Sequence, residues 1–582
     1  MQTLSVPERE NPCRATEGER MRSRFQSIAH GLRGLPIISS VMFGGMLPAF
    51  AVALTLADGT AIATSSDRLL ASFAFNAFLF GLLAYSGTHL LKRSSFLLIY
   101  TIVVIYSFLY ATFYVYHFNI FGQIFGESSI NAVLDSNPQE AGEFLSWALR
   151  LEHLLLPLMA ALIVAAVLVV RAPTAPAVRS RRVGLATLAA ALLMLPLAAV
   201  KTNVILYNPI FFPAHATYKA FANRAAVAEI QSKIDTIQIG SVDGPEEKAV
   251  THILIIGEST TRRHMSLYDY VRDTTPRLRR LAPELEVATD VCSSRGATVP
   301  ALQEMLTFAT REDPAPLFEK PSLLQIIKAA GFRSWWLSNH AFYGDFDNWS
   351  MVLSRPADLR HFVNRVGEGT SFDEQLLPYL KDALSDPSPR KFIVLHLLGA
   401  HSDYTLRYPA GFDKFTGAAL PPTPRTLTSR DARFFNAYDN AILYNDHIVG
   451  EIIAAAQAAD KHATVTFVSD HGEALGEISD FFTHIDGRAP RQVYEIPLAF
   501  WMSPAFRASA TPRISRLRGN LGKPFQTDAM IHTLLDLYDI RHDAHAPHRS
   551  LFAADYSVPS RFCDKMPGLP APVTNPRMVV AQ

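Results

Sequence analysis

Residues 253–260 read Ile-Leu-Ile-Ile-Gly-Glu-Ser-Thr, residues 464–473 read Thr-Val-Thr-Phe-Val-Ser-Asp-His-Gly-Glu, and these two stretches decide the fold of the larger part of the chain. Each begins with an apolar run that is typical of a buried strand and ends in polar residues. Ligands of open α/β sheets lie beyond the carboxyl ends of the strands. We therefore expect Glu258, Asp470 and His471 to meet around one metal ion.

Strand patterns alternate with helical patterns from Ala249 onward, which predicts an α/β domain with a largely parallel sheet. The candidate strands are Ala249–Ile256, Arg333–Leu337, Lys391–Leu397, Thr464–Ser469 and Ile496–Met502. The candidate helices are Thr275–Leu281, Pro321–Ala330, Phe372–Leu384, Phe435–Ala459 and Thr527–Leu537.

Five apolar stretches in the first third of the chain are each long enough to cross a bilayer as a helix, which takes about 20 residues. They are Ile37–Ala57, Leu69–Leu91, Phe96–Phe118, Leu154–Val170 and Gly184–Val200. Buried core helices are the alternative, but a soluble core does not need five such runs in succession. Hydrophobic residues make up 49% of the chain, and this region holds a disproportionate share of them.

The basic residues predict the orientation of these spans in the membrane. Arginines are frequent before residue 34, Lys92 and Arg93 follow the second span, and four arginines lie between residues 171 and 182. The N-terminus is therefore expected in the cytoplasm. With an odd number of spans, residues 205–582 lie outside, which in a Gram-negative cell is the periplasm.

These patterns predict a series of regions along a multi-pass inner-membrane protein. Residues 1–34 form a cytoplasmic segment, 35–204 a transmembrane domain, 205–248 a connector, 249–565 a catalytic domain and 566–582 a proline-rich tail. Within the transmembrane region, a periplasmic interfacial segment near 119–150 is polar enough to lie outside the bilayer. Its apolar residues favour an amphipathic helix on the membrane surface.

Net charge and cysteine content exclude some classes of function. A net charge of +1 gives no indication of a nucleic-acid partner. The three cysteines, Cys13, Cys292 and Cys563, form none of the usual zinc signatures. Cys292 and Cys563 either form a disulfide in an oxidising compartment or remain separate thiols, and the sequence leaves both open.

The chemistry of the two strand ends favours zinc. Two carboxylates and an imidazole suit this metal, and manganese is the less favoured alternative. A catalytic zinc site keeps one position open for substrate or nucleophile. The competing interpretation is that Asp470 caps the turn after its strand and that His471 is an ordinary surface residue.

Thr298, in the stretch Ser293–Pro300, is the best candidate for a nucleophile. A threonine hydroxyl attacks poorly at neutral pH, and coordination to a metal lowers its pKa. The simpler interpretation is that Thr298 is the N-cap of a helix over residues 300–306, a common position for threonine. The two roles are compatible, and a helix N-terminus beside the nucleophile helps to stabilise a phosphoryl oxyanion.

His401 and His484 follow the strands Lys391–Leu397 and Thr464–Ser469 and are expected at the rim of the same site. Either can protonate a leaving alkoxide or hold a phosphate oxygen. A lone histidine is more often structural, but two histidines on loops at one rim favour function. His396 falls inside a strand pattern and is predicted to be structural.

Taken together, these residues resemble the membrane-bound phosphoethanolamine transferases of Gram-negative bacteria, which belong to the alkaline phosphatase/sulfatase superfamily. The resemblance lies in the order of several short strings and in the five leading spans. The strings are Gly257–Arg262, Leu267–Pro276, Phe372–Glu374, Tyr438–Asn440, Leu443–Asp446 and Ser469–Glu473.

This resemblance implies a sulfatase-like fold, a site and a reaction. Glu258, Thr298, Asp470 and His471 match the family's zinc ligands, and Thr298 matches the residue that becomes modified with phosphoethanolamine. His401 and His484 match its substrate-binding histidines. In the interfacial segment, Ser136 and Glu140 match its contacts with the lipid head group. The implied donor is phosphatidylethanolamine, which diffuses among the membrane lipids, and the implied acceptor is lipopolysaccharide.

The choice of acceptor depends on a departure from part of the family, because members that modify lipid A look rich in disulfides and carry cysteines on both sides of the nucleophile. Here Thr298 is flanked by Arg295-Gly296-Ala297 and Val299-Pro300-Ala301. Residues 294–309 and 395–401 look more similar to the branch that acts on the core heptose, so this acceptor is favoured over lipid A. A phosphoglycerol transferase that uses phosphatidylglycerol, a sulfatase or phosphatase-like hydrolase and an inactive membrane scaffold are the alternatives.

Overall fold

The computed structural model of the chain describes residues 81–121, 179–200, 236–341, 349–364, 371–417, 420–459, 462–479, 481–487 and 489–566, with isolated positions at 78, 79, 130, 142, 159, 163, 217, 218 and 221. The chain divides into two compact units. One consists of Met1–Tyr116 with Arg150–His215, and the other of His117–Leu149 with Ala216–Gln582.

The first unit contains most of the long helix α1 (Arg93–Phe121), whose residues from His117 onward are assigned to the second unit, all of α2 (Arg181–Val200), and a further helical stretch over residues 81–90. The hydroxyl of Ser86 donates to the carbonyl of Gly184 at 2.8 Å. The two segments pack closely here, since a Cβ on Gly184 would lie 2.7 Å from the side chain of Leu90.

Five membrane spans remain a prediction after the structure. Among the residues it describes, no helix has the length and apolarity that a membrane crossing requires. The predicted spans Ile37–Ala57 and Leu154–Val170 lie wholly or almost wholly outside the described residues. The interfacial segment near 119–150 lies largely outside them too, and so do Ser136 and Glu140.

The second unit alternates strands and helices. Its strands are β1 Val242–Asp243, β2 Val250–Gly257, β3 Leu285–Ala288, β4 Val291–Cys292, β5 Arg333–Ser338, β6 Leu359–Phe362, β7 Arg390–His396, β8 Ala463–Ser469, β9 Ala474–Leu475, β10 Phe482–Thr483, β11 Leu498–Met502, β12 Phe525–Gln526 and β13 Arg541–His542. Its α-helices are α3 Pro276–Leu281, α4 Thr298–Met305, α5 Pro316–Glu319, α6 Leu323–Ala329, α7 Trp349–Ser354, α8 Leu377–Ser385, α9 Ser429–Ala459, α10 Pro504–Ser509, α11 Thr511–Asn520 and α12 Met530–Leu537. Single 3₁₀ turns connect them at Arg262–His264, Ser266–Tyr268, Ala282–Glu284, Asp373–Leu376, Tyr404–Leu406, Ala410–Phe412, Arg491–Val493, Thr527–Ala529, Pro547–Arg549 and Phe562–Lys565.

A seven-stranded sheet in the order β3-β11-β8-β2-β7-β5-β6 forms the centre of this unit. The five strands from β8 to β6 are parallel. Strand β11 is antiparallel to both of its neighbours, β8 and β3, so β3 has the same direction as the five. The predicted α/β domain with a largely parallel sheet is therefore confirmed. The edge strands β3 and β6 were not predicted, because each has only four residues and too short an apolar pattern.

The sheet is buried on both faces, which explains the continuous apolar runs of its central strands. All eight residues of β2 are buried. Because side chains alternate along a strand, Leu254 and Ile256 pack into one core, with α6 and α12. Ile253 and Ile255 pack into the other core, with α9. Each such side chain contributes about 1.5–3 kcal/mol, so the position of β2 is fixed.

The predicted helices are confirmed with shifted boundaries. The helix predicted over Phe372–Leu384 begins with the 3₁₀ turn Asp373–Leu376 and continues as α8. Helix α9 begins at Ser429, six residues before the predicted start. Helix α6 is held at its start by a capping box of Ser322 and Gln325.

Cys292 and Cys563 form a disulfide, which settles the question that the sequence left open. Both cysteines are buried. The bond joins β4, which pairs with β12, to the 3₁₀ turn Phe562–Lys565 across a sequence separation of 271 residues. It therefore ties the end of the described chain to the segment that leads to Thr298.

Replacing Cys563 with serine should lower the midpoint of thermal unfolding by about 5–10 °C, because a bond that closes so long a loop restricts the unfolded chain. Thermal melts of the purified full-length protein measure this. Cys13→Ser, which leaves the bond intact, is the matched control. A midpoint unchanged by Cys563→Ser would contradict the stabilising role of the bond.

His252 in β2 makes the stability of the second unit depend on pH. Its Nδ1 lies 2.8 Å from Thr464 Oγ1, and its ring stacks on Tyr538 with centroids 4.2 Å apart. Burial, helped by the charges of Arg513 and His462, lowers the pKa of His252 to about 3. Below about pH 6.5 the unfolded chain binds a proton that the folded chain does not.

The free energy of unfolding should therefore fall as the pH drops from about 6.5 towards 3, with His252 contributing up to about 1.4 kcal/mol per pH unit. In His252→Phe, which keeps an aromatic ring but cannot titrate, the slope should be smaller by about one proton. Urea unfolding at pH 7, 6, 5 and 4 measures both slopes. Equal slopes in the two proteins would show that His252 does not carry the effect.

Candidate active site

Glu258 and Asp470 lie next to each other because β2 and β8 are adjacent parallel strands. Gly257 and Ser469 are paired in the register of these strands, so the residue after each lies at the same edge of the sheet. The Asp470 amide donates to the Gly257 carbonyl at 3.0 Å, and Asp470 Oδ1 accepts from the Ser259 amide at 3.2 Å. Glu258, Asp470 and His471 are fully buried.

Four predicted site residues converge on one point. His471 Nε2 lies 3.2 Å from Thr298 Oγ1, 3.2 Å from Glu258 Oε1 and 3.4 Å from Asp470 Oδ2. The Thr298 hydroxyl also donates to Glu258 Oε2 at 3.0 Å. Ligand atoms placed tetrahedrally at about 2.0–2.1 Å from zinc are separated by about 3.3–3.4 Å. The observed spacing therefore matches that of a tetrahedral zinc site.

The side chains of Asp470 and His471 each present an atom that can bind a metal. Asp470 Oδ2 is buried and has no hydrogen-bond partner. His471 Nδ1 lies 2.9 Å from the Gly472 carbonyl, to which it donates, so Nε2 keeps its lone pair. An unpartnered carboxylate oxygen and an oriented imidazole are what a buried metal site requires, and the residues present fit zinc.

The electrostatics of the site point the same way. Burial and the charge of Glu258 raise the pKa of Asp470 well above its usual range. Burial opposes the charged form of His471, but Asp470 and Glu258 raise its pKa to about 10. Burial also acts against the charge of Glu258, but the neighbouring histidines, His471 foremost, hold its pKa well below the usual range. Without a metal, protons on Asp470 and His471 offset the negative charge of the cluster, and a metal ion bound at the same point would take the place of these protons.

Thr298 is the first residue of α4, and the N-cap is Ala297. The interpretation of Thr298 as an N-cap is therefore wrong, because its hydroxyl points to Glu258 instead of a backbone amide. The preceding segment is anchored by the Ser294 amide, which donates to Thr527 Oγ1 at 2.9 Å. The hydroxyl is thus held beside the carboxylate and imidazole rather than used for the helix.

The two predicted rim histidines flank this cluster. The ring of His484 lies 4.1 Å from that of His471 and 6.3 Å from that of His401. His484 Nδ1 lies 3.1 Å from Glu473 Oε2, which fixes the orientation of the ring. Burial and the neighbouring charge of His471 lower the pKa of His484. Glu258, His471 and His484 present ligand atoms within 4.8 Å of one another.

The loop after β7 brings His401 to the site by packing against Glu258. Gly399 adopts a φ of 50°, and a Cβ there would lie 2.8 Å from the Glu258 carbonyl oxygen. The Ala400 amide donates to that carbonyl at 3.1 Å. Only glycine permits this approach, so Gly399 determines how close the loop comes to the cluster.

Sequence reasoning missed two polar residues of the site. His340 follows β5, and its Nε2 lies 3.8 Å from Glu258 Oε2 and 2.9 Å from the Leu397 carbonyl. Its ring stacks on that of His396 with centroids 3.9 Å apart, and the predicted structural role of His396 fits its full burial. Glu473, which orients His484, was not singled out either. The rule that points to Glu258, a polar residue beyond a strand end, also applies to His340.

Two family models match the chain. Residues 251–540 match the model described as Sulfatase, and residues 83–207 match the model described as Phosphoethanolamine transferase EptA/EptB. The first covers the described sheet and the candidate site. The second falls on the region of the predicted membrane spans.

A named relative is similar in sequence to about half of the chain. Phosphoethanolamine transferase EptC of Escherichia coli (strain K12) is 34% identical over 319 residues, which are 54% of this chain and 55% of EptC. The chain thus spans about half the length of the curated relatives it matches.

Two solved structures are also similar. The C-terminal periplasmic domain of EcEptC from Escherichia coli in complex with Zn is 31% identical, with a TM-score of 0.53, covering 56% of this chain and 97% of that domain. The integral membrane protein EptA from Neisseria meningitidis has a TM-score of 0.61 and 20% identity, covering 89% of this chain and 97% of that protein. The second similarity shows the fold alone.

Zinc analysis of the purified protein tests the metal site. We expect about one zinc ion per chain in the wild type, and Asp470→Asn should lower the affinity for zinc by more than about a hundredfold, because it removes a negatively charged ligand. Elemental analysis and competition with a chelator measure both. Asp358→Asn, which changes a carboxylate at β5 and β6, is the control. Equal zinc retention by Asp470→Asn and the wild type would rule out Asp470 as a ligand.

Proposed function

The chain belongs to the phosphoethanolamine transferase family, whose catalytic domain is of the sulfatase type, and we propose on this premise that it transfers phosphoethanolamine from phosphatidylethanolamine to lipopolysaccharide. One observation carries the proposal. Side-chain oxygens of Glu258, Thr298 and Asp470 all lie within 3.4 Å of His471 Nε2. A hydroxyl in such a cluster is suited to nucleophilic catalysis on a phosphodiester.

Four residues hold the proposed zinc ion: Glu258, Asp470, His471 and the hydroxyl of Thr298. When bound, zinc supplies Lewis-acid polarisation of the hydroxyl and of a phosphoryl oxygen. The fit of the residues supports zinc over manganese, because an imidazole and carboxylates at tetrahedral spacing are typical zinc ligands.

In the first step, Thr298 Oγ1 attacks the phosphorus of phosphatidylethanolamine, and the bond between phosphorus and the diacylglycerol oxygen breaks. The hydroxyl proton of Thr298 passes to Glu258 Oε2, to which it donates at 3.0 Å, and His401 or His484 in its protonated form gives a proton to the departing diacylglycerol alkoxide. The product is a phosphoethanolamine ester of Thr298. Its formation divides one difficult transfer into two easier steps.

In the second step, an oxygen of the acceptor attacks the same phosphorus and the bond to Thr298 Oγ1 breaks. In its neutral form His484 donates from Nδ1 to Glu473 Oε2, so Nε2 then carries the lone pair and can take the proton of an acceptor hydroxyl. Thr298 regains its proton from Glu258, and the net reaction moves one proton from acceptor to diacylglycerol. A single site thus serves two lipid-linked substrates in turn.

The location of the substrates fits the predicted organisation of the chain. We propose five transmembrane helices within residues 35–204 in the bacterial inner membrane, an interfacial segment near 119–150, a connector at 205–248, a periplasmic catalytic domain at 249–565 and a tail at 566–582. In this arrangement Ser136 and Glu140 contact the lipid head group. The disulfide supports an oxidising compartment. The acceptor favoured by the resemblance is the core heptose of lipopolysaccharide, with lipid A as the other choice.

The nucleophile is tested by intact mass after incubation with phosphatidylethanolamine. The wild type should gain one phosphoethanolamine, Thr298→Ala should gain none, and Thr298→Ser should retain part of the activity because it keeps a hydroxyl at the same position. The wild type is also incubated with phosphatidylglycerol, which tests the alternative donor. Thermal melts of both variants show whether they fold.

The results of these incubations distinguish the proposed reaction from its alternatives. A phosphoglycerol adduct instead of a phosphoethanolamine adduct would replace the donor and the activity. Release of ethanolamine phosphate to water without an acceptor would indicate a hydrolase. Normal activity of Thr298→Ala would reject Thr298 as the nucleophile.

A further inference from the structure

Asp486 connects the segment that carries Thr298 to the loop that carries His484. It lies two residues after His484, and its carboxylate accepts three hydrogen bonds from the other segment. Oδ1 accepts from the Gly296 amide at 3.0 Å and from Arg311 Nη2 at 2.5 Å, and Oδ2 accepts from Arg295 Nη1 at 3.0 Å. Gly296 lies two residues before Thr298, so one side chain joins both loops.

The two loops are also in direct contact at Gly296. A Cβ on this residue would lie 2.7 Å from the Ile485 carbonyl oxygen and 3.1 Å from the ring of Tyr494. The hydroxyl of Tyr494 accepts a hydrogen bond of 2.9 Å from the Gly487 amide. Glycine is therefore required where the loops meet, and the Asp486 carboxylate closes over the contact.

Both arginines that donate hydrogen bonds to Asp486 are held in place by further contacts. Arg295 Nε donates to Glu304 Oε1 at 2.6 Å, which ties it to the last turn of α4. Arg311 donates to the Ser294 carbonyl, and its guanidinium lies 3.7 Å from the centroid of the Phe562 ring. The side chains of Arg295, Arg311 and Asp486 are 16–22% exposed, so the ion pairs are only partly screened by water.

The carboxylate of Asp486 remains charged in this setting. Burial raises its pKa, but Arg311, the Gly296 amide and Arg295 outweigh burial and hold the pKa below the usual range. A neutral amide of the same shape would still reach Gly296 but would lose the attraction to both guanidinium groups. This difference gives a substitution that weakens the link without leaving a cavity.

We propose that Asp486 is a positioning residue of the transfer reaction, which keeps the Thr298 hydroxyl and the His484 imidazole aligned on one phosphoryl group by locking their two loops together. The inference rests on the proposed function. Asp486 contacts neither reacting group and acts through Gly296 and Arg295 on one side and His484 on the other. In-line attack needs reacting atoms about 3–3.5 Å apart, and a displacement of about 1 Å can cost about a hundredfold in rate.

The test compares Asp486→Asn with the wild type in full-length protein loaded with zinc. At saturating phosphatidylethanolamine, the rate of adduct formation on Thr298 should fall about tenfold to a hundredfold. The donor concentration for half-maximal rate should change less than about threefold, because no donor contact is lost. Asp486→Glu, which keeps the charge, should recover part of the rate.

Glu286→Gln is the matched control for a loss of stability. Glu286 in β3 is also a carboxylate that pairs with two arginines, Arg507 and Arg518, at the edge of the sheet away from the site. This variant should lower the thermal midpoint to a similar extent and leave the rate of adduct formation unchanged. Equal losses of rate in both variants, or a rate of Asp486→Asn within twofold of the wild type, would overturn the proposal.

Hydrogen exchange provides a measurement that does not depend on the reaction. In Asp486→Asn, peptides over residues 293–298 and 481–487 should exchange faster, whereas β2 and β8 should not change. If the wild type forms no adduct with phosphatidylethanolamine, the proposed function fails, and exchange alone decides whether Asp486 joins the loops. Unchanged exchange in both segments would overturn this role.

Discussion

Two buried carboxylates at the ends of adjacent parallel strands are the constraint on which the rest of the structure depends. Glu258 and Asp470 are shielded from solvent, and like charges in such surroundings repel strongly. Their repulsion is relieved by a proton on Asp470 or His471, or by a metal ion bound between the two carboxylates. The Thr298 hydroxyl and the His471 imidazole lie at the same point, where both contact the Glu258 carboxylate.

The sheet holds this pair against its own repulsion. Strand β2 is buried along its whole length between two cores, so the turn that follows it cannot withdraw. Helix α9 adds a direct hold, because the hydroxyl of Tyr438 donates to the Ser259 carbonyl at 2.6 Å and accepts from the Thr261 amide at 2.9 Å. A rigid scaffold fixes the carboxylates, and loops supply the groups that must meet substrate.

The loops around the candidate site are held by polar contacts and close backbone packing rather than by an apolar core. Gly399 packs against the backbone of Glu258. Asp486 joins the loops of Thr298 and His484. The disulfide between Cys292 and Cys563 ties down β4, six residues before Thr298. These links come from segments far apart in the chain, which is why the site depends on the complete fold of the second unit.

The sequence by itself determined the parallel sheet and the residues at its strand ends, because both follow from local patterns: apolar runs for the strands and a polar residue directly after each. Glu258, Asp470 and His471 could be found in this way, and the rim histidines from their place on the loops that follow two strands. Only the tertiary structure decided that Thr298 faces Glu258 instead of capping α4, that His340 approaches the same carboxylate and that Asp486 joins two loops. These contacts depend on distances between segments that are remote in sequence, and no local pattern encodes such distances.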